Sequence, residues 1–242
     1  DIQRSRGLGD VYKRQCQQSY YPEMASTISH IKRALTPEQK SDRRETILST
    51  AKVLFMEAGY EGFSMGLLSK RAGVAKGTLY LYFGTKEEVL LSLYSQEFER
   101  FCNTIVVGIY PGISDADFVS HLYETSLSDP IFLALHARLG TVIEQNISVD
   151  ALITSKRNMA THFHTVVTQL SQPLGLSCEQ TLEALSGISA LLTGSYDGSS
   201  DSVIETEVIP EDVATFMGYF DMNVRFEKNA GYILQGIRAS SR

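Results

Sequence analysis

Cysteine is scarce in this chain. Cys16, Cys102 and Cys178 are the only three in 242 residues, odd in number and without metal-ligand spacing. That argues against a disulfide-stapled scaffold or a cysteine metal site and points to a reduced, cytosolic compartment. Long apolar runs are missing as well. None approaches the roughly 18 residues of a membrane span, and no apolar stretch follows the early arginines as a signal peptide requires. No segment alternates clearly in the manner of a strand, and nothing repeats. What is there is an ordinary globular composition, 43% hydrophobic and 21% charged. The length suits one large domain or two small ones. Helical spacing runs along most of it, and an all-α fold is expected.

The first stretch stands apart. Residues 1–15, DIQRSRGLGDVYKRQ, have neither helical nor strand period, and the tail Asp10–Gln15 resembles the translation of a transposase-end sequencing adapter. Met24 is then the expected true start, and residues 1–35 are assigned as an artefactual or disordered segment.

Further along, Thr36 caps a first helix opened by Pro37. That helix carries Ile47, Leu48, Ala51, Leu54 and Phe55 and stops at Gly59. Ser64 caps a short second helix with Leu67, Leu68 and Ala72, Gly73 makes a turn, and a third helix covers about 75–83. Thr85-Lys86-Glu87-Glu88 is a capping box for a fourth helix through about Asn103. Further helices are expected over 114–126, from Asp129-Pro130 through Ile143, over 149–170, and from the Ser177-x-x-Gln180 box onward. Residues 194–209, rich in Gly, Ser and Asp, read as a loop. Pro210 opens a last long helix.

Gly62-Phe63-Ser64-Met65-Gly66 spells G-x-S-x-G, the nucleophile elbow of α/β hydrolases. An elbow needs a strand before its serine, yet the preceding ILSTAKVLFMEAG is helix-patterned. His121, His136, His162 and His164 follow, but the strands of such a fold do not. His162 and His164, two apart, face different sides of a helix, which argues against a metal pair. No catalytic residue, cofactor or metal is assigned, and the chain is not expected to be an enzyme.

The net charge of −6 hides a division. Lys32 to Lys86 holds ten Lys and Arg against five Asp and Glu, whereas Phe101 to Arg242 holds seven against sixteen. A basic N-terminal part is what phosphate binding requires, since local charge decides it. Helix, glycine turn and short polar helix over 65–83 form a helix-turn-helix unit. Its second helix offers Lys76 to a phosphate, hydroxyls from Thr78, Tyr80 and Tyr82, and close backbone approach at Gly77.

Here the sequence resembles the TetR family of transcriptional repressors. The match is carried by Gly59-Tyr60, Ser64-Met65, Leu68, Ala72-Gly73-Val74, Lys76-Gly77-Thr78-Leu79-Tyr80, Tyr82-Phe83 and Thr85-Lys86-Glu87. It is strong over Arg43 to Tyr94, and beyond that rests on length and helical layout. Departures are Phe63 where a small residue is common, Ala75 where Ser or Thr is usual, and Leu81 at a variable, often polar position. The resemblance implies a three-helix DNA-binding domain over 36–84 and a ligand-binding and dimerisation domain over 85–242, with the helix 85–103 as connector. It implies phosphate anchoring by Ser64, Lys76, Tyr80, Tyr82 and Lys86. Gly77 and Thr78 would lie against the bases, Ala75 beside them, and Arg43 and Arg44 at the DNA backbone or minor groove. Leu79 and Phe83 are read as core.

The implied partners are a double-stranded DNA operator, a second copy of the chain and an unidentified small-molecule effector, with no membrane. His121, Phe132, His136, Met159 and Phe163 are the candidate effector contacts. Gly187, Ala190, Leu191, Gly194, Phe216, Met217, Phe220 and Val224 are the candidate dimer contacts. A helical enzyme, or an interaction protein that does not bind DNA, is the alternative.

Overall fold

A computed structural model describes residues 36–199, 210–218 and 222–240. The described residues are helical with no strand among them, which removes the scaffold a nucleophile elbow needs. The adapter-like segment and Met24 lie outside the described residues. Contacts divide the chain after Lys40. Of the first unit only Thr36–Lys40 are described, a capped helical turn in which Thr36 Oγ1 accepts from the Gln39 N–H at 3.3 Å. The second unit, Ser41 onward, holds the rest of the described residues.

Helix α1 spans Pro37–Gly62 and buries the face formed by Ile47, Leu48, Ala51, Leu54 and Phe55. Gly59, at φ 62 and ψ −171, breaks its regular course, as the sequence implied. Gly62 is small for a different reason: a Cβ there would lie 2.8 Å from the Ala58 Cβ. Helix α2 is Met65–Arg71, and Ser64 Oγ accepts from the Leu67 N–H at 3.2 Å. Such a cap stabilises by about 1 kcal/mol. Gly73, at φ 64, turns the chain into α3, Lys76–Leu79. This helix is one turn, not the nine residues expected. Beyond it the Leu81 and Tyr82 N–H groups bond three residues back, to the Thr78 and Leu79 carbonyls at 3.1 and 3.0 Å. That tightening turns Phe83 inward.

Helix α4, Lys86–Ile105, is the centre of the molecule. Thr85 caps it at 3.1 Å, and Glu88 reaches back to the Gly84 N–H at 2.7 Å. It packs against α5 (Asp115–Leu127), α6 (Pro130–Arg138) and α7 (Val149–Leu174). The regular part of α6 stops short of the expected Ile143. The chain widens over Leu139–Ile143 and tightens over Glu144–Asn146, yet Leu139 and Ile143 are still buried. Helix α8, Cys178–Ser199, opens with a reciprocal box: the Gln180 N–H donates to Ser177 Oγ at 3.1 Å and the Ser177 N–H to Gln180 Oε1 at 2.8 Å. It continues past Gly194 to Ser199, where a loop was expected; residues 200–209 lie outside the described residues. Toward the end are α9, Glu211–Gly218, and α10, Met222–Ala239; the residues between them lie outside the described residues. Helix α10 packs on α5 and α8. Its Arg238 donates to both Asp115 oxygens at 3.0 and 2.7 Å and to the Leu174 carbonyl at 2.7 Å. One apolar core, from Ile47 to Leu234, joins the helices other than α9.

Candidate nucleic-acid interface and helical cavity

Two sites emerge. The first is the edge made by α2, α3 and the turn after it. Phe63, Leu68, Leu79 and Phe83 are buried beneath it, so the frame is fixed from below. Above that frame Ser64, Ala75, Lys76, Gly77 and Tyr80 are exposed, while Thr78, Tyr82 and Lys86 are half-buried. Ser64 uses an oxygen lone pair for its cap, which leaves its hydroxyl proton available. The Lys76 ammonium lies 6.0 Å from the Tyr80 ring centre.

Lys86 is held more tightly, 3.8 Å over the Tyr60 ring and 3.4 Å from the Tyr60 carbonyl. Tyr60 in turn donates to buried Glu87 at 2.7 Å. Burial first, and that carboxylate second, push the Tyr60 hydroxyl up to about 12, so it remains a donor. Arg43 and Arg44 are both exposed. Arg44 also lies 5.0 Å over the Phe83 ring and donates to Ser92 Oγ at 2.8 Å. Ala75 caps α3 without any side-chain hydrogen bond.

The second site is a small apolar cavity of about 50 Å³ enclosed by α4, α5, α6, α7 and α8. Three of the five candidate effector contacts meet there: Phe132, His136 and Phe163. The other two do not. His121 bonds the Ile105 carbonyl at 3.1 Å, and Met159 is buried outside the cavity wall.

Sequence reasoning missed Tyr94, Phe98, Phe101 and Ser189. Tyr94, Phe98 and Phe101 recur at helical spacing on α4, a signal that was legible. The Phe101 and Phe132 rings stack at 4.5 Å. Tyr94 Oη and His136 Nδ1 are 2.8 Å apart, and His136 Nε2 and Ser189 Oγ are 3.1 Å apart. Burial lowers the His136 pKa, so the imidazole stays neutral with one nitrogen donating and one accepting. Burial also pushes the nearby Cys102 thiol up to about 12, too high for a reactive thiolate.

A charged cluster joins the two regions. Lys52 on α1 donates to Glu97 on α4 at 3.0 Å and to Asp129 at 2.8 Å. Arg100 pairs with Glu97 and reaches Asp129 at 2.5 Å. Asp129 is also the cap of α6, bonding the Ile131 N–H at 3.2 Å. Burial raises its pKa, but the Lys52 hydrogen bond and charge outweigh this and hold it below the usual range.

Comparison with known proteins decides the family. Residues 95–241 match the model of the tetracyclin repressor-like C-terminal domain, and residues 47–93 match that of the bacterial regulatory proteins of the tetR family. The chain belongs to the tetR family. Among its relatives, the HTH-type transcriptional repressor AcnR of Corynebacterium efficiens is 28% identical over 188 residues, 72% of this chain and 96% of that protein. The HTH-type transcriptional repressor KstR of Rhodococcus jostii is 41% identical over 66 residues, 27% of this chain and 31% of that one. An HTH-type regulator of Bacillus subtilis, YuxN, is 28% identical over 127 residues, 51% of this chain and 43% of its own. The match thus spans less than half the length of the latter two. A crystal structure of a TetR transcriptional regulator from Rhodococcus sp. RHA1 superposes with a TM-score of 0.51 at 16% identity, over 82% of this chain and 97% of that one, so it shares the tetR fold.

The candidate dimer residues are spread out. Gly187 faces inward, and a Cβ there would lie 3.4 Å from Ile233 on α10 of the same chain. Leu191 is half-buried against the core, while Ala190, Gly194 and Phe216 are exposed. Phe220 and the side chains of Met217 and Val224 lie outside the described residues.

Proposed function

We propose that the protein is a homodimeric, cytoplasmic transcriptional repressor that binds an operator through the edge around Lys76-Gly77-Thr78 and leaves it when a small molecule enters the helical cavity. The observation that carries this is the exposed basic and hydroxyl-bearing turn fixed on a buried frame, with Leu79 and Phe83 inside and Lys76 outside. Residues 36–84 serve as the DNA-binding part and 85–242 as the effector and dimer part. The repressor names of AcnR and KstR support the direction of regulation.

The effector step follows from volume. A cavity of about 50 Å³ holds little more than a water molecule or two. An effector must therefore part the helices, and it stabilises whichever arrangement of α4 and α6 gives it room. If that arrangement spaces the two DNA-reading edges differently, operator affinity falls.

The test is a gel shift on DNA flanking the protein's own gene, backed by random-site selection. Salt-sensitive retardation is expected. Lys76→Ala should weaken it and reduce the slope of log K against log salt by about one. Recovery of no enriched sequence would sink the proposal.

A further inference from the structure

The DNA-reading edge carries a side chain that folding does not use. Leu81 is 84% exposed, the most exposed large apolar side chain among the described residues. Its position is fixed. Leu79 and Phe83, two residues to either side, are buried at 0% and 3%. The Leu81 N–H is tied to the Thr78 carbonyl at 3.1 Å and the Phe83 N–H to the Leu79 carbonyl at 3.1 Å. The turn therefore holds Leu81 outward by construction. Ala75, Lys76, Gly77 and the 46%-exposed Tyr80 of the same segment are exposed as well. Leu81 thus adds an exposed apolar group to a basic, hydroxyl-bearing edge.

In the major groove, thymine is the base that presents carbon in return, its C5-methyl group. An isobutyl group can do nothing for a phosphate, and against the polar edges of guanine, adenine or cytosine it would strip water without replacing the hydrogen bonds. We propose that Leu81 selects sequence by packing on a thymine methyl group in each half-site, with Lys76 supplying the sequence-independent phosphate contact. This rests on the DNA-binding role proposed above.

The test uses the full-length protein and the duplex recovered by random-site selection. Each thymine is replaced in turn, symmetrically in both half-sites, by deoxyuridine, which lacks only the methyl. One position should weaken wild-type binding about four-fold per half-site, the worth of one buried methyl. Leu81→Ala removes no core contact, so it should fold as the wild type does by circular dichroism. It should bind the thymine and uridine duplexes equally. Uridine substitution that is neutral everywhere, or a penalty that survives in Leu81→Ala, overturns the proposal while leaving DNA binding intact. Failure to select any sequence removes the DNA-binding role itself and this inference with it, and is recognised by the absence of a duplex to substitute.

Discussion

His136 sits in an apolar wall with both ring nitrogens occupied, by Tyr94 and by Ser189. Burial lowers its pKa, whereas in the unfolded chain it titrates near the ordinary value of about 6.5. Between the lowered value and about 6.5 the unfolded chain binds more protons, so this residue's contribution to stability is full above about 6.5 and is lost as pH falls through the lowered value. Thermal unfolding followed from about pH 7.5 to about pH 5.5 should show a falling midpoint. His136→Gln should flatten that dependence even though it lowers the midpoint at neutral pH; an unchanged slope would place the titration elsewhere. At this same scale the sequence was informative where one residue type does one job. Thr36, Ser64, Thr85 and Ser177 all cap as their spacing implied. The serine of the G-x-S-x-G string is one of them, and the glycine before it is small to clear Ala58, not to form an elbow. What spacing could not reveal was pairing across helices: Tyr94 and His136 are 42 residues apart, and exposed Arg44 meets the Phe83 ring and Ser92, the latter 48 residues away.

At the scale of elements, the joint of α1, α4 and α6 is charged. Glu97, 3% exposed, is held there by Lys52 and Arg100, and Asp129 both joins the cluster and caps the helix that carries Phe132 and His136. Asp129 and Lys52 thus tie α6 to α1 directly. Lys52→Met leaves two carboxylates to share Arg100 and should cost about 1–3 kcal/mol in urea denaturation. Asp129→Asn should cost less in the Lys52→Met background than in the wild type, and additivity in that double-mutant cycle would show that the two do not cooperate. Element ends were the least legible part of the fold. Leu79 and Phe83, four apart, imitate a helical stripe, yet the chain between them tightens after one turn. Leu139 and Ile143 keep their helical spacing and their burial while the backbone around Gly140 widens. Gly194 and its Ser and Asp neighbours suggested a loop, but Leu192 and Tyr196 pack on the core and carry α8 onward. In each case side-chain burial was readable from the pattern, whereas the hydrogen-bond register that ends a helix depended on what it packs against.

At the scale of the whole molecule, the outer face of α8 exposes Leu182, Ser186 and Ala190, at helical spacing. Ala190→Glu lies on that face and displaces no core side chain. Sedimentation equilibrium should find the wild type as a dimer and this variant shifted toward monomer, with weakened operator binding. A variant that stays dimeric moves the interface elsewhere.

Helix α4 is common to both parts: the two family matches meet at its middle, ending at residue 93 and resuming at 95, on either side of buried Tyr94. The protein therefore has no linker at which to swap one half for a relative's. A chimera must be spliced inside a continuous helix, where rotational phase is inherited with the sequence. One inserted residue would turn the C-terminal part about 100° relative to the N-terminal part, and four would bring it back to within about 40°. Exchanging effector specificity among such regulators is thus a problem of torsional phase before it is a problem of pocket chemistry.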